Sequence, residues 1–421
     1  MKKSVYICLL LLTFPTAIFA IEWKTLGFYR TEIDQYRKSV FNPDNRSVEL
    51  LDLDQNLHFF LSQFFSLQGR WKSISWQADI WGQVKQTNRM GWKGDLKINQ
   101  MFFQMDLWEN WVLLAGRSIQ RWGTGYAYNP TDMLAPEKEL RDPDNAEKRA
   151  VGNDMVKLEY FGQSFSLAMC IFTQFRFRSG IRTDEGNFAF RVYKNLWDAD
   201  LSLMALFNSR EHPVWGLNFA YVMGERLEIH GELSNQKGSY QLYHPLIENP
   251  YALYLTDPHI MLKKNDHTFY FKYLLGFQYT FGRNILWVAE YYHQDPGYTQ
   301  KEWSRAVDYV HYLNDQRNTA FKDLAEINLL WALKVYSSKG TMRDYLMNHC
   351  EIPIQGRIQL SATVLTNLHD LSSVFIPQFN CRLLKHFTFY ARSFIFLGDR
   401  ETEYGEFFNS FTFESGLWLE L

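Results

Sequence analysis

Apolar and polar residues alternate along several segments of the chain. The clearest is residues 226–234, where one face carries Leu227, Ile229, Gly231 and Leu233 and the other carries Arg226, Glu228, His230, Glu232 and Ser234. The same period of two recurs in residues 73–80 and, with Phe102 as an exception, in residues 100–107. Because a β-strand points successive side chains to opposite faces, this pattern predicts strands with one apolar face and one wet face.

The links between the predicted strands are short and long in turn. Short links typical of tight turns lie near residues 109–110, 162–164, 195–198, 223–225, 282–284 and 385–386. Longer links lie around residues 120–152, 176–186, 208–212, 235–265 and 294–320. Outer-membrane barrels have this asymmetry, with short periplasmic turns and longer extracellular loops, whereas a sandwich of two sheets has no reason to sort its loops.

The number of hairpins indicates a fold class. It predicts an all-β protein, a transmembrane antiparallel up-and-down β-barrel of about 18 strands, with both termini on the side of the short turns. A barrel of about 16 strands is the alternative, because residues 337–356 are irregular and could hide or remove a hairpin. Alternation continues to the last residue, Leu421, which indicates a final strand that closes the barrel edge.

The first twenty residues have the features of a secretory signal peptide. Lys2 and Lys3 form a basic start, residues 5–12 form an apolar core, and residues 17–20 end in a small-residue cleavage site. No lipobox surrounds Cys8, so we expect no lipid anchor. We therefore predict a signal peptide at residues 1–20 and an outer-membrane barrel at residues 21–421.

Composition favours a membrane barrel over a soluble periplasmic β-protein, which is the alternative. Aromatic residues make up 17% of the chain, more than a soluble core needs. No apolar run approaches the roughly 18 residues of a membrane helix, and the mean hydropathy is negative, as in a chain of alternating strands. Removing the two lysines of the signal changes the formal net charge from −2 to −4, which gives no case for a nucleic-acid partner.

Residues typical of catalysis, cofactor binding or metal binding are not arranged for those purposes. Cys170, Cys350 and Cys381 are odd in number and lack metal-like spacing. Glu228 and Glu232, which flank His230, fit the polar lining of a strand better than acid–base catalysis. We therefore predict no enzymatic activity, no cofactor and no metal.

The strand end at residues 116–117 and the long link at residues 120–152 contain the most distinctive motifs. A Gly-Arg pair, then Trp-Gly-x-Gly, then Asn-Pro-x-Asp are formed by Gly116, Arg117, Trp122, Gly123, Gly125, Asn129, Pro130 and Asp132. Together they resemble a widespread group of mostly uncharacterised bacterial outer-membrane β-barrels, similar to the porin-like and alginate-export-type barrels. The resemblance implies a barrel in the envelope of a Gram-negative bacterium but no particular substrate.

The same motifs predict a loop that turns sharply at the barrel rim. Gly123 and Gly125 allow backbone angles closed to other residues. Asn129 and Pro130 start a turn, and Asp132 could accept a hydrogen bond from a nearby backbone N–H.

Charged residues around this loop predict a constriction. Arg117 and Arg121 are four positions apart and could point into the lumen together, although Arg117 shares its phase with apolar neighbours unless a bulge lies near Gly116. Residues 137–149 add Arg141, Asp142, Asp144, Lys148 and Arg149. With Trp122 and Asp132 these are our candidate pore residues, in a constriction loop at residues 120–152. The alternative is a solvated surface loop.

Residues 299–313 carry the best helix signal of the chain. Thr299 and Glu302 form a capping box, and apolar residues then recur at helical spacing. The helix could touch the barrel rim as a plug, or simply pack a long loop together.

A barrel of this size favours a channel. It encloses a lumen that side chains alone cannot fill, so we predict passive or selective passage of small polar solutes. The first alternative is a binding or envelope-assembly protein that acts through its long loops, and an outer-membrane hydrolase ranks last because no catalytic constellation stands out. The expected partners are outer-membrane lipid, the barrel-assembly machinery and small polar solutes; the oligomeric state is not predicted.

Overall fold

The structure, a computed structural model, describes residues 20–41, 57–87, 91–134, 151–178, 181–208, 212–239, 241–243, 262–263, 267–336, 341–407 and 409–421. Eighteen of its strands form one antiparallel sheet in which the first strand pairs with both the second and the last, so the sheet is closed. The predicted all-β barrel and the count of eighteen strands are confirmed.

The barrel strands follow one another in chain order, each paired with the next. They are β1 Ala20–Tyr36, β2 Leu57–Trp71, β3 Ile74–Thr87, β4 Gly91–Trp108, β5 Trp111–Ser118, β6 Asn153–Phe161, β7 Phe165–Arg178, β8 Ile181–Leu196, β9 Ala199–Asn208, β10 Val214–Met223, β11 Leu227–Lys237, β14 Phe269–Phe281, β15 Ile285–Gln294, β16 Asp344–Ile354, β17 Ile358–Asn367, β18 Ser373–Leu384, β19 Phe387–Leu397 and β20 Asn409–Glu420. Two short strands, β12 (Leu242–Tyr243) and β13 (Leu262–Lys263), pair only with each other.

Alternation along the strands separates an outer surface from a lumen. Leu217, Leu233 and Leu275, on three successive strands, point outwards and are 46%, 40% and 56% exposed. Their neighbours Asn218 and Glu232 point inwards and are buried. An exposed apolar belt with polar residues behind it is the pattern of a lipid-facing barrel wall.

Short connections collect at one end of the barrel, together with the start of β1 and the end of β20. They lie at residues 72–73, 109–110, 162–164, 197–198, 224–226, 282–284, 355–357 and 385–386. At the same end, the backbones of Thr25 and Leu421 exchange hydrogen bonds of 3.0 Å. All connections longer than three residues lie at the other end, together with the short links at 88–90 and 179–180. The predicted placing of the long links at one end therefore holds.

Some predicted link boundaries are wrong. The link expected at residues 176–186 shrinks to 179–180, because β7 and β8 stay paired up to Arg178 and Ile181. The links expected at 208–212 and 235–265 are 209–213 and 238–268. The irregular stretch at 337–356 removes no hairpin, since β16 begins at Asp344; residues 337–340 lie outside the described part of the chain.

Two helices lie in the connection between β15 and β16. Helix α1 (Gln300–Gln316) is capped at its N-terminus by Thr299, whose side chain forms the predicted capping box with Glu302. Helix α2 (Lys322–Tyr336) was not predicted and packs against α1. Among the described residues, no helix is long and apolar enough to cross a membrane.

The apolar side of α1 packs into the long-loop end of the barrel. Its buried Trp303, Val307, Val310 and Leu313 share one cluster with Leu365, Val374, Ile376, Phe394 and Phe396, which point inwards from β17, β18 and β19. Phe41, beyond β1, joins the cluster and stacks on Tyr336 of α2 with ring centroids 4.4 Å apart. The helices therefore fill part of the mouth, as expected of a plug-like helix.

Candidate functional site

Residues 122–134, here called the inner segment, follow β5 but contact distant strands. Their polar groups bond side chains of β10, β11 and β15, which lie five or more strands away from β5 in the sheet. The contacted side chains all point into the lumen. A segment that leaves one wall and meets the lumen face of another must run inside the barrel, so this half of the predicted loop folds inwards.

Glu232 of β11 binds the inner segment with both carboxylate oxygens. Oε1 accepts hydrogen bonds from the backbone N–H groups of Thr124 and Gly125 at 2.5 and 2.7 Å, and from Asn129 Nδ2 at 3.1 Å. Oε2 accepts from the backbone N–H and the hydroxyl of Thr131 at 2.9 and 2.7 Å. Hydrogen bonds to an ionised group are about twice as strong as neutral ones, so this carboxylate fastens the segment at two places.

Glu290 of β15 fastens the next two residues. The backbone N–H groups of Tyr126 and Ala127 donate to its two carboxylate oxygens, the latter at 2.9 Å. His230 Nε2 lies 3.0 Å from the same carboxylate. Gly276, on the strand between them, makes this possible, because a Cβ there would lie 2.5 Å from the His230 ring and 2.8 Å from Glu290 Cγ.

Apolar contacts hold the segment at both ends. Trp122 and Leu134 are buried in one cluster with Met155 of β6, Phe172 of β7, and Met204 and Leu206 of β9, on the wall that follows β5. In the middle, Tyr128 stacks on Tyr292 with ring centroids 3.9 Å apart. Asn218 of β10 donates to the Trp122 carbonyl at 2.5 Å. The described part of the loop is therefore packed on side chains over most of its length.

Gly123 and Gly125 are needed for a reason other than the predicted one. Neither has a positive φ. A Cβ on Gly125 would lie 2.0 Å from the Tyr128 carbonyl oxygen, and one on Gly123 would lie 2.8 Å from Asn129 and 2.9 Å from Glu232. The expectation of special backbone angles is wrong here, and close approach to neighbouring groups takes its place.

Asp132 closes the inner segment on itself. Its Oδ1 accepts from the Trp122 backbone N–H at 2.8 Å, and its Oδ2 lies 3.0 Å from Arg121 Nη1. Burial raises the pKa of the Asp132 carboxyl, while the Trp122 N–H and the Arg121 guanidinium act to lower it. Asn129 Nδ2 also donates to the Gly125 carbonyl at 2.7 Å, so the turn at Asn129 and Pro130 is tied at its base.

Arg117 does not point into the lumen. It shares its face with Leu113 and Ala115, whereas Leu114 and Gly116 point inwards. The bulge expected near Gly116 is absent, because the pairing of β4 with β5 runs through it without a shift; Gly116 instead has a φ of +127°. Arg117 makes two hydrogen bonds of 2.8 Å with Asp154 on the neighbouring strand. Its place among the pore candidates was wrong for this reason.

The charged tract of the loop lies outside the described residues. Arg141, Asp142, Asp144, Lys148 and Arg149 belong to it, so their role in a constriction stays a prediction.

A second polar wall, not predicted, lies on β1, β2, β19 and β20. Glu414 lies between two arginines, 2.6 Å from Arg392 Nε and 3.6 Å from Arg30 Nη1. The Arg30 guanidinium also covers the Phe60 ring, 4.0 Å from its centroid. Alternation in the sequence could have placed these side chains on one face of each strand, but it could not give the register of the closing pair β1–β20, which decides which side chains meet.

No protein-family model matches the sequence, and no curated protein is similar to it in sequence. Solved structures share its fold. Acinetobacter baumannii OccAB1 superposes with a TM-score of 0.56 and 8% identity, over 95% of this chain and 96% of that one. Pseudomonas aeruginosa OccK11 (OpdR) gives 0.54 and 9%, over 96% of each chain. Pseudomonas aeruginosa OprD gives 0.53 and 7%, over 96% of this chain and 95% of that one. These are bacterial outer-membrane porin-like barrels, and the chain has their fold.

Proposed function

We propose that the protein is an outer-membrane channel for small polar solutes and that the inner segment narrows its lumen. The observation that carries the proposal is the fastening of residues 122–134 to Glu232 and Glu290 inside the barrel. Eighteen strands enclose a lumen too wide for side chains to fill. A segment held across that lumen sets the width of the remaining path.

Support for a stable constriction comes from the cost of releasing it. Glu232 is 3% exposed and Glu290 is 1% exposed. A buried donor or acceptor that loses its partner costs about 1–3 kcal/mol, and more when it is charged. Glu232 has donors from four residues of the segment and Glu290 from two, so several such costs favour the fastened state.

The sequence motif supports a shared role for this arrangement. The glycines of Trp-Gly-x-Gly approach Glu232 and Asn129 closely, and Asn129 and Asp132 of Asn-Pro-x-Asp tie the turn. We propose that barrels carrying the same motif have the same fastened segment. Arg121 and the tract 137–149 would then bias which solutes pass, as charges at a narrow place do. Insertion by the barrel-assembly machinery and a surrounding of outer-membrane lipid follow from the same proposal.

Single-channel conductance of purified protein in planar bilayers tests the proposal. Glu232→Gln replaces one acceptor oxygen by an NH2 group that faces N–H donors, so the segment should loosen and the conductance should rise. Glu228→Gln is the matched control, because it removes the same charge from the same strand and face. Within the described part of the chain, Glu228 lies near His230 and makes no hydrogen bond to the inner segment.

The two variants separate constriction from charge. Both should shift ion preference, since each removes one carboxylate, but only Glu232→Gln should widen the path. Equal conductance in both folded variants would show that the inner segment does not narrow the lumen. No conductance from any folded sample would favour the binding or envelope-assembly function instead.

A further inference from the structure

A cluster of three ligand-type side chains lies across the barrel from the inner segment. Glu32 and Asp34 point inwards from β1, and His58 points inwards from β2 directly opposite Glu32. Strand β1 is ten strands from β11 in one direction and eight in the other, so the cluster faces the fastened wall. Nothing in the constriction described above involves these three residues.

The three side chains are close enough to bind one ion. One ligand atom from each can be chosen so that all lie within 4.8 Å of one another. His58 Nε2 is 3.3 Å from Asp34 Oδ2. Asp34 and His58 are each 4% exposed, while the Glu32 side chain is 20% exposed. Asp34 and His58 are therefore enclosed by other side chains, and the cluster is open to lumen water at Glu32.

The surrounding wall has more carboxylates than arginines. Arg30 lies 3.6 Å from both Glu32 and Glu414, and Arg392 bonds Glu414 at 2.6 Å. Asp34 has no arginine or lysine within ion-pair distance among the described residues. Three carboxylates thus face two guanidinium groups, and a buried charge without a partner is costly.

The two buried members of the cluster, His58 and Asp34, face one another. His58 Nδ1 is buried and has no hydrogen-bond partner among the residues that the structure describes. The other bonds of Asp34 come from neutral groups. Thr412 at 2.5 Å and Asn409 at 2.8 Å donate to its Oδ1, and the Tyr36 hydroxyl donates at 3.4 Å to Oδ2, the oxygen nearer His58.

We propose that Glu32, Asp34 and His58 bind a divalent transition-metal ion such as Zn2+ in the lumen. One imidazole and two carboxylates suit Zn2+ and its neighbours, whereas Ca2+ and Mg2+ prefer all-oxygen sites. Three protein ligands leave a fourth position for water from the lumen. Arg30 needs no new partner when the ion binds, because it is equally close to Glu414. Metal binding itself does not depend on the proposed channel.

Calorimetric titration of the detergent-purified protein with Zn2+, and separately with Ca2+, tests the site. The wild type should bind one Zn2+ per chain and should bind Ca2+ at least about a hundredfold more weakly, given the ligand preferences. His58→Ala and Asp34→Asn should each weaken Zn2+ binding by at least about tenfold, since even outer groups of a metal site cost 10–100-fold.

His386→Ala is the control, because His386 is exposed at a short turn at the other end of the barrel. Its Zn2+ affinity should equal that of the wild type. Heat-dependent mobility in detergent gels identifies variants that fail to fold, and Glu32→Gln supplies a third ligand change at a partly exposed position. Equal binding of Zn2+ and Ca2+, or Zn2+ binding that folded His58→Ala and Glu32→Gln retain, would overturn the site.

Discussion

Two opposite walls of the lumen use the same residue type in different ways. On the wall of β11 and β15, Glu232 and Glu290 accept hydrogen bonds from backbone N–H groups of the inner segment. On the wall of β1, β19 and β20, Glu414 is balanced by arginine side chains. On the first wall the carboxylates bind the backbone of the inner segment. On the second wall the carboxylate binds other charged side chains.

This difference separates two roles, the positioning of the inner segment and the lining of the lumen with charged side chains. Backbone N–H donors are fixed once the segment is folded, so the wall of β11 and β15 is rigid and its charge is spread over several dipoles. Arginine and carboxylate side chains can exchange partners, so the opposite wall can respond to ions and solutes. Changes on the first wall should therefore alter the shape of the path, and changes on the second should alter its charge.

Gly125→Ala should have the largest effect, and it should act on shape. Its Cβ would lie 2.0 Å from a backbone oxygen, a clash more severe than ordinary overpacking, which already costs about 1–3 kcal/mol. We expect the inner segment to leave Glu232 and residues 122–134 to become open to protease and to hydrogen exchange, while the barrel strands keep their protection.

Gly282→Ala is the control for this variant. Gly282 lies in a short turn where an added Cβ meets nothing within 4 Å. It should leave exchange in the inner segment unchanged. Full protection of residues 122–134 in folded Gly125→Ala would show that the fastening tolerates the added methyl group and that the close approach does not matter.

Alternation in the sequence predicted which side chains face the lumen, but not which of them contact one another across it. It placed Glu228, His230 and Glu232 on one wet face of β11, as found. It could not show that Glu232 binds residues about a hundred positions earlier, because that contact depends on barrel closure and on the path of the loop. The placing of Arg392 and Arg30 on either side of Glu414 depends on the same closure.

Predictions from local sequence were wrong at two places, Gly116 and residues 176–186. The strand end at Gly116 was expected to carry a bulge that turns Arg117 inwards, but a φ of +127° leaves the register intact. The polar, Gly-containing stretch at 176–186 reads as a loop, yet continuous backbone pairing extends both strands through it. Strand pairing across the sheet overrode the local signal in both places.

Arg392→Gln should have the next largest effect, and it should act on charge. It removes a guanidinium that lies 2.6 Å from Glu414 and is 7% exposed, and breaking a buried pair costs about 3–5 kcal/mol when the partner stays charged. We expect lower thermal stability of the barrel and a shift of reversal potential towards cations, with the inner segment still protected from exchange. A loss of protection in residues 122–134 would show that the two walls are not independent.

Arg117→Gln should have the smallest effect, and its comparison with Arg121→Gln tests which face each arginine occupies. Arg117 pairs with Asp154 on the outward face, and the two side chains are 29% and 47% exposed. Such a pair is worth about 0–1 kcal/mol. Its removal should change neither the conductance nor the ion preference.

Arg121 differs from Arg117 in position and not in charge. Its side chain is 41% exposed and lies beside Asp132 of the inner segment. Arg121→Gln should therefore move the reversal potential towards cations, most clearly at low salt, where screening is weak. The measurement is the reversal potential of both variants across a salt gradient. An equal shift in the two variants would place Arg117 on the path after all, and the face assigned to β5 would have to be reversed.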